Sequence, residues 1–387
     1  MEHEELEQQF EEAKNQQVQP QPLTTSAVWE SFVGGPEPDD EPETGVPIAQ
    51  LQSLLIKLAS IPEGFHLHKK LLRNVERRQK MAKDEESVDW SAAEALAFAS
   101  LAVEGHPVRL SGQDSARGTF SQRHAVFHDV VDGQQYEIFG HLADNQVPVD
   151  MINSPLCEAA TMGYEYGYSL DCPEGLVLWE GQYGDFVNVA QVIIDQFMAS
   201  AEDKWRRLSG LVLLLPHGFE GRGPEHSSAR LERFLLLAAD DNLQVVCPST
   251  PAQYFHCLRR QVKRNWRKPL VVLTPKSLLR HPRVVSSLSE FAGGRFHRIL
   301  GDTRDTPQET TCVLLTSGKM YYDLVEARDT QQRLDIGIVR IEQFYPLSDE
   351  RLRRALQILA GVWPNPKRKA PHYAPPNKTS TRVPRYY

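Results

Sequence analysis

Between residues 107 and 273, short apolar runs alternate with amphipathic stretches, and no other feature limits the fold so strongly. The runs at 107–110, 135–139, 175–180, 210–215, 243–247 and 269–273 read as strands. The stretches near 155–169, 187–202, 228–240 and 251–264 read as helices. Strand–helix alternation predicts a parallel sheet covered by helices on both faces, an α/β fold. A second α/β unit begins near Thr310, with strands at 311–316 and 335–342 and helices at 319–330 and 348–360. Residues 295–309 read as the linker between the two units. No internal repeat is visible.

The flanks differ in character. Residues 1–14 read as a short helix rich in Glu and Gln, and 15–45 as an acidic, proline-rich linker or extended arm. A helical connector follows over 46–87. Its first helix carries Ile48, Leu51, Leu54, Leu55 and Leu58 on one side. Its second, 66–83, is basic, with Lys69, Lys70, Arg73, Arg77, Arg78 and Lys80. That charge reads as a solvated face or a subunit contact. Ser91 to Glu94 has the form of a capping box opening an Ala-rich helix. The tail, 362–387, is basic and proline-dense and contains no acid, so it is expected to be disordered.

The 387 residues carry a net charge of -8, and 41 % are hydrophobic. An acidic soluble-type composition argues against nucleic-acid binding. No apolar run approaches the ~20 residues of a membrane helix. The start, Met1-Glu-His-Glu-Glu-Leu, has neither a signal nor a transit pattern. The five cysteines form no Cys-x-x-Cys pair, so free thiols in a reducing compartment are expected, and no zinc site.

Three stretches could carry chemistry. His217-Gly-Phe-Glu-Gly-Arg-Gly-Pro-Glu-His226 follows a strand and precedes a helix that Ser227 or Ser228 would open. In a parallel sheet this is the ligand-binding edge, and its glycines permit close backbone approach. It is no phosphate loop, since no Gly-Lys-Ser/Thr follows. Taken locally, it is a glycine-rich turn with surface histidines. Glu158 lies in Ser154-Pro-Leu-Cys-Glu-Ala-Ala, where Ser154 could cap and Pro155 could open a helix. The ordinary reading of Glu158 is a first-turn acid favoured by the helix dipole. Glu180-Gly-Gln-Tyr-Gly-Asp-Phe186 is, by itself, another glycine turn.

These stretches resemble, in order, the thiamine-dependent first component of the 2-oxoglutarate dehydrogenase complex. The matching blocks include Val108-Arg-Leu-Ser-Gly-Gln-Asp-Ser-Ala-Arg-Gly-Thr-Phe120, Trp179-Glu-Gly-Gln-Tyr-Gly-Asp-Phe186 and Pro248-Ser-Thr-Pro-Ala-Gln253. Pro275-Lys-Ser-Leu-Leu-Arg-His-Pro282 and Val339-Arg-Ile-Glu-Gln-Phe-Tyr-Pro346 continue the series. The likeness runs from about Leu6 to Val362 and covers only the C-terminal part of the family's chain. It implies a transketolase-like pyrimidine-binding domain at 88–300 and an incomplete C-terminal α/β domain at 301–361.

The resemblance also implies roles. Glu158 would hydrogen-bond a ring nitrogen of the thiamine aminopyrimidine and so promote removal of the thiazolium C–H proton. Phe186 would stack on the pyrimidine, with Gln182 and Tyr183 lining it. His226 would shuttle protons, kept neutral by a helix N-terminus, and His217 is the second such candidate. Glu165 reads as structural. Arg109, Arg117, Arg123 and His124 could hold substrate carboxylates or pair across a dimer interface, and the interface is preferred.

The implied cofactor is thiamine diphosphate, with Mg2+ expected only from a diphosphate half carrying Gly-Asp-Gly, which this sequence does not contain. The implied partners are a second copy or that diphosphate half, and the lipoyl-bearing dihydrolipoyl succinyltransferase. No nucleic acid and no membrane are expected. The implied location is the bacterial cytoplasm, or the mitochondrial matrix in a eukaryote. Two alternatives stand: a β-type subunit of a split 2-oxo acid dehydrogenase, and a non-catalytic dimerising fragment.

Overall fold

The structure, a computed structural model, describes Glu7, Glu11 and residues 27–220, 223–304 and 310–359. The tail 362–387 and most of the helix expected at 1–14 lie outside the described residues.

Seven strands form the main sheet, in the order β12-β7-β8-β6-β5-β1-β4. They are β1 (Val108–Gly112), β4 (Val149–Asn153), β5 (Leu176–Glu180), β6 (Val212–Pro216), β7 (Gln244–Val246), β8 (Leu270–Thr274) and β12 (Gln343–Tyr345). Every pairing is parallel except β12 with β7. Side chains along a strand point alternately to opposite faces, and the sequence exploits both. Leu176, Leu178, Val212, Leu214, Leu270 and Val272 belong to one core cluster. Val177, Trp179, Leu213, Leu215, Val271 and Leu273 belong to the other. All five residues of β5 and of β6 are buried, as a parallel sheet covered on both sides requires.

Helices α1 (Ile48–Leu58), α2 (Lys69–Ala82) and α3 (Trp90–Val103) precede the sheet. Helix α3 is buried all round, and its alanines let it approach α6 (Pro251–Lys263) closely on one face of the sheet. Helix α4 (Glu158–Asp171) and α5 (Leu231–Leu237) contribute to the core on the other face. The cap of α3 differs from the expected box. Asp89 accepts a hydrogen bond from the Ala92 amide at 2.9 Å, while the Ser91 hydroxyl donates to the Gln122 carbonyl. Asp89 is the residue just before the first helical turn, so its carboxylate reaches the free amides that Ser91, already inside the helix, cannot.

Three other expectations change. The run at 135–139 yields β3 (Gln135–Glu137), which pairs with β2 (Val126–His128) in a separate antiparallel hairpin and not in the main sheet. The edge strand β4, with Asp150 as its second residue and little apolar alternation, is absent from the expected strands. The helix expected over 187–202 is broken into a 3₁₀ segment Gly184–Ala190, a turn of α-helix Gln191–Ile193, a π segment Ile194–Met198 and a short helix Ala201–Trp205.

The second unit contains β10 (Cys312–Thr316), α7 (Lys319–Thr330), β11 (Ile336–Ile341) and α8 (Asp349–Leu359). Its sheet has the order β10-β11-β9. Strand β9 (Ile299–Leu300) falls inside the stretch expected to be linker and pairs antiparallel with β11. After β11 the chain returns to the main sheet as β12, so one segment serves both units.

The described part of the acidic arm, from residue 27 on, is held by ion pairs. Glu37 pairs with Arg264 at 3.0 Å and Arg298 at 2.7 Å, and Glu41 with Arg260 and Arg298 at 3.3 and 2.5 Å, all buried. Glu37 and Glu41 are therefore structural groups, clamped by three arginines from two parts of the chain, the end of α6 and Arg298.

Candidate active site at the carboxyl edge of the sheet

Parallel strands β1, β4, β5, β6 and β8 end at one edge, and the loops leaving them carry the candidate residues. Glu158 is the first residue of α4, five residues past the end of β4, and is half-buried. Cys157, in extended conformation, occupies the cap position and gives no side-chain cap bond. Ser154, expected to cap, lies further out. Its hydroxyl bonds Thr161 Oγ1 at 3.0 Å and accepts from the Leu156 amide at 3.3 Å. Helix α4 packs against the 3₁₀ segment 184–190, which carries Phe186. Among the described residues, no hydrogen bond links Glu158 to Gln182, Tyr183, Phe186, His217 or His226.

The turn after β5 holds Gln182, Tyr183 and Phe186, all half-buried. Gly184 brings it hard against the next loop: a methyl group there would lie 2.4 Å from the Pro216 carbonyl oxygen and 2.6 Å from Ala229 Cβ. Only glycine fits this approach. His217 Nδ1 accepts from the Ala229 amide at 3.0 Å, which places the ring proton of the neutral imidazole on Nε2. Burial, and then the Lys276 ammonium, push its pKa below the ordinary histidine value. Lys276 donates to the carbonyls of Gly218, at 2.8 Å, and of His226, tying the loop after β6 to the one after β8. Beside His217, a cleft of about 320 Å³ opens between residues 217–220 and Ser317–Asp323 of the second unit.

His226 is not at the start of the long helix. It closes the 3₁₀ turn Pro224–His226, and α5 begins only at Leu231, after Arg230 in the left-handed region at φ 58°. The helix dipole invoked for it therefore acts elsewhere. Its imidazole stacks on Tyr183, 3.9 Å between centroids and 11° from parallel. Tyr183 also meets Phe186 and Phe120 edge-on, at 5.6 and 6.1 Å. Tyr183, Phe186 and His226 thus form one aromatic group. His217 joins the same loop but has no ring contact with them.

The arginine expectations change. Arg109 makes two bonds to buried Glu165, at 2.8 and 3.0 Å, between the rings of Tyr164 and Tyr168. Arg123 is buried and holds both Glu94 and Glu180, at 2.6 and 2.7 Å. Both arginines serve pairs within the chain. Arg117 pairs with Asp114 at the surface, and burial lowers the His124 pKa, helped by Arg78 and Arg117. From the sequence, Glu94 reads only as the acid of a capping box, and Glu180, Phe120 and Lys276 carry no expected role. One signal was available for Glu180: a carboxylate ending an otherwise apolar buried strand needs a partner.

The transketolase pyrimidine-binding domain family matches residues 86–282, and the 2-oxoglutarate dehydrogenase C-terminal family matches 285–363. Proteins named 2-oxoglutarate dehydrogenase E1 component from Brucella ovis, Brucella suis and Brucella melitensis are each 52 % identical over 321 residues. The match takes 80 % of this chain and 32 % of each relative, so the chain spans about a third of their length.

Proposed function

The chain belongs to the transketolase pyrimidine-binding family, in the form that 2-oxoglutarate dehydrogenase E1 components carry, and we propose that it supplies the aminopyrimidine half of a thiamine diphosphate site. The observation that carries this reading is the placement of Glu158. It opens a helix at the carboxyl edge of a parallel sheet, and that helix packs against the segment bearing Phe186. A carboxyl and an aromatic face are what an aminopyrimidine needs, one to share a ring-nitrogen proton and one to stack. The bound cofactor would supply the carbanion-stabilising chemistry of oxo-acid decarboxylation. Glu158 would hold the proton at the ring nitrogen, Phe186 and Gln182 would orient the ring, and His226 would exchange protons with the substrate.

The donors for the rest of the cofactor are different. Among the described residues, no group of three or more His, Cys, Asp or Glu side chains is placed to hold a metal ion. A Mg2+–diphosphate half would supply those donors. The assembled enzyme would decarboxylate 2-oxoglutarate oxidatively and pass the succinyl group to a lipoyl-bearing succinyltransferase, in the cytoplasm of a bacterium. An exposed apolar strip supports pairing with a second copy or with that half. It comprises Leu156, Tyr164, Val189, Val192 and Phe197, alongside the small residues Ala160 and Gly167.

The test is reconstitution. The chain alone should not reduce ferricyanide with 2-oxoglutarate. Addition of the diphosphate-binding half should restore turnover, and Glu158→Ala should then remove most of it. Isotope exchange at the thiazolium C–H reports the step assigned to Glu158. Exchange at the wild-type rate in the variant would reject the assignment.

A further inference from the structure

The aromatic group at the sheet edge stands on a buried ionic cluster. Glu180 is the last residue of β5, three positions before Tyr183. Its two oxygens accept from Arg123 at 2.7 and 2.8 Å. The same guanidinium donates to Glu94 of α3 at 2.6 and 3.0 Å, and to the Ser115 carbonyl at 2.6 Å. Tyr254 of α6 closes the cluster with a bond to Glu94 at 2.8 Å. Arg123 is 3 % exposed, Glu94 4 % and Glu180 5 %. Four elements therefore meet on one guanidinium: the loop after β1, α3, α6 through Glu94, and the end of β5.

Two routes lead from the cluster to His226. One runs along the backbone from Glu180 through Gly181 and Gln182 to Tyr183. The other runs from the loop containing Arg123 to Phe120, whose ring meets Tyr183 edge-on at 6.1 Å. Both end on the Tyr183 ring, which lies flat against His226. His226 has little else to fix its plane. Its Nδ1 is buried and has no hydrogen-bond partner among the described residues, and Nε2 is 3.7 Å from Glu225, beyond hydrogen-bond range. An imidazole without hydrogen bonds takes its orientation from packing alone.

We propose that Glu180, locked by Arg123, and Tyr183 are positioning residues for His226. The ion cluster sets the turn after β5, and that turn presents the tyrosine face that holds the imidazole. One face of Tyr183 is thereby occupied, which leaves Phe186 as the ring available to a bound pyrimidine. The importance of this for catalysis rests on the proton-shuttle role proposed for His226. The geometric inference does not.

The cluster offers its own control. Two carboxylates share one guanidinium, so either Glu94→Gln or Glu180→Gln leaves a neutral one-to-one pair and removes a buried excess negative charge. Both variants should fold. Only Glu180→Gln loosens the turn that bears Tyr183. In the full chain carrying ¹³C-labelled histidine, the His226 ring signal, assigned with His226→Gln, is displaced by the ring current of Tyr183. Glu180→Gln should return it toward the free-histidine position by several tenths of a ppm, as should Tyr183→Leu. Glu94→Gln should leave it in place. A purely structural role would lower the melting temperature in both carboxylate variants without separating their His226 signals. Equal signals in the two, or an unmoved signal in Glu180→Gln, would overturn the proposal. Should Glu180→Gln fail to fold, Glu180→Asp keeps the charge and withdraws the carboxylate by one methylene, and the same signal decides. The readout involves no cofactor, so its failure is distinct from failure of the thiamine reading.

Discussion

Gln343 sits opposite Val246 in an antiparallel pairing, so the strand that leaves the second unit completes the sheet of the first. The side chain strengthens the joint. Gln343 Oε1 accepts from Arg260 at 2.8 Å, and its amide donates to Glu37 at 2.8 Å. One residue thus ties together the second unit, α6 and the N-terminal arm. The described residues should unfold as one cooperative body. Hydrogen exchange followed by mass spectrometry along a urea series checks this. Peptides covering β8 and β11 should lose protection at the same urea concentration. Opening of β11 well before β8 would show two independent units.

The arm adds a second prediction. Glu41 is 7 % exposed; burial alone would raise its pKa, and Arg260 and Arg298 hold it below the ordinary carboxylate value. Glu41→Ala would leave the buried Arg260 guanidinium without a carboxylate, while Arg298 keeps Glu37 at 2.7 Å, and should cost about 3–5 kcal/mol. Glu43, two residues on, meets Arg295 at 3.4 Å in the open, with 69 % of its side chain exposed. Glu43→Ala should change stability by less than about 1 kcal/mol. Urea denaturation of the two variants makes the comparison, and similar losses would deny the arm its clamping role.

Much of this architecture is readable in the chain, for a physical reason. Strands β5, β6 and β8 are buried on both faces, so their apolar runs are nearly continuous and hard to mistake. Edge strand β4 carries Asp150 and Asn153 because one side faces solvent, and its signal is correspondingly weak. The break in the 184–205 region is invisible because the π segment shifts the helical phase without a proline or glycine to announce it. The arm misleads in the opposite sense. Its composition is that of a linker, and its order comes from arginines more than 200 residues away. At the site, the loops were identified from their glycines and strand ends. The stacking of Tyr183 on His226 was not, because it depends on Gly184 letting two separate turns touch.

The exposed apolar strip predicts self-association. Val192 is 56 % exposed and Tyr164 58 %, on neighbouring segments that pack through Gly163 and Ile193. Contiguous apolar surface of this kind is ordinarily covered. The chain should dimerise at micromolar concentration by light scattering. Val192→Asp should shift it to monomer while leaving the circular dichroism spectrum unchanged, since the side chain is outside the core. A wild-type monomer would remove the strip's assigned purpose.

The buried histidines predict a loss of stability in mild acid. His256 is 2 % exposed. Its Nδ1 faces the Thr44 hydroxyl at 2.7 Å and its Nε2 the Glu290 carbonyl at 2.8 Å. A neutral ring satisfies both, with Nε2–H donating to the carbonyl and Nδ1 accepting from the hydroxyl. Burial pushes its pKa down from 6.5 to about 4. Burial also lowers His106, His124, His217 and His297. A group whose folded pKa is depressed binds protons more readily in the unfolded chain. The stability it contributes is complete above the unfolded value near 6.5 and is lost as pH falls toward the folded value. For His256 the full span corresponds to about 3 kcal/mol. Glu342 works the other way, because burial raises its pKa, and its protonation favours the folded state above the unfolded carboxyl value of 4.5. One such carboxyl opposes five histidines, so the net slope between pH 6.5 and 4.5 should remain positive with pH. The free energy of unfolding by urea, measured in steps from pH 7.5 to 4.5, should fall steadily below 6.5. His256→Gln keeps a donor and an acceptor without the titration and should flatten part of that slope. A flat profile in the wild type would mean that these histidines are not held neutral by the fold.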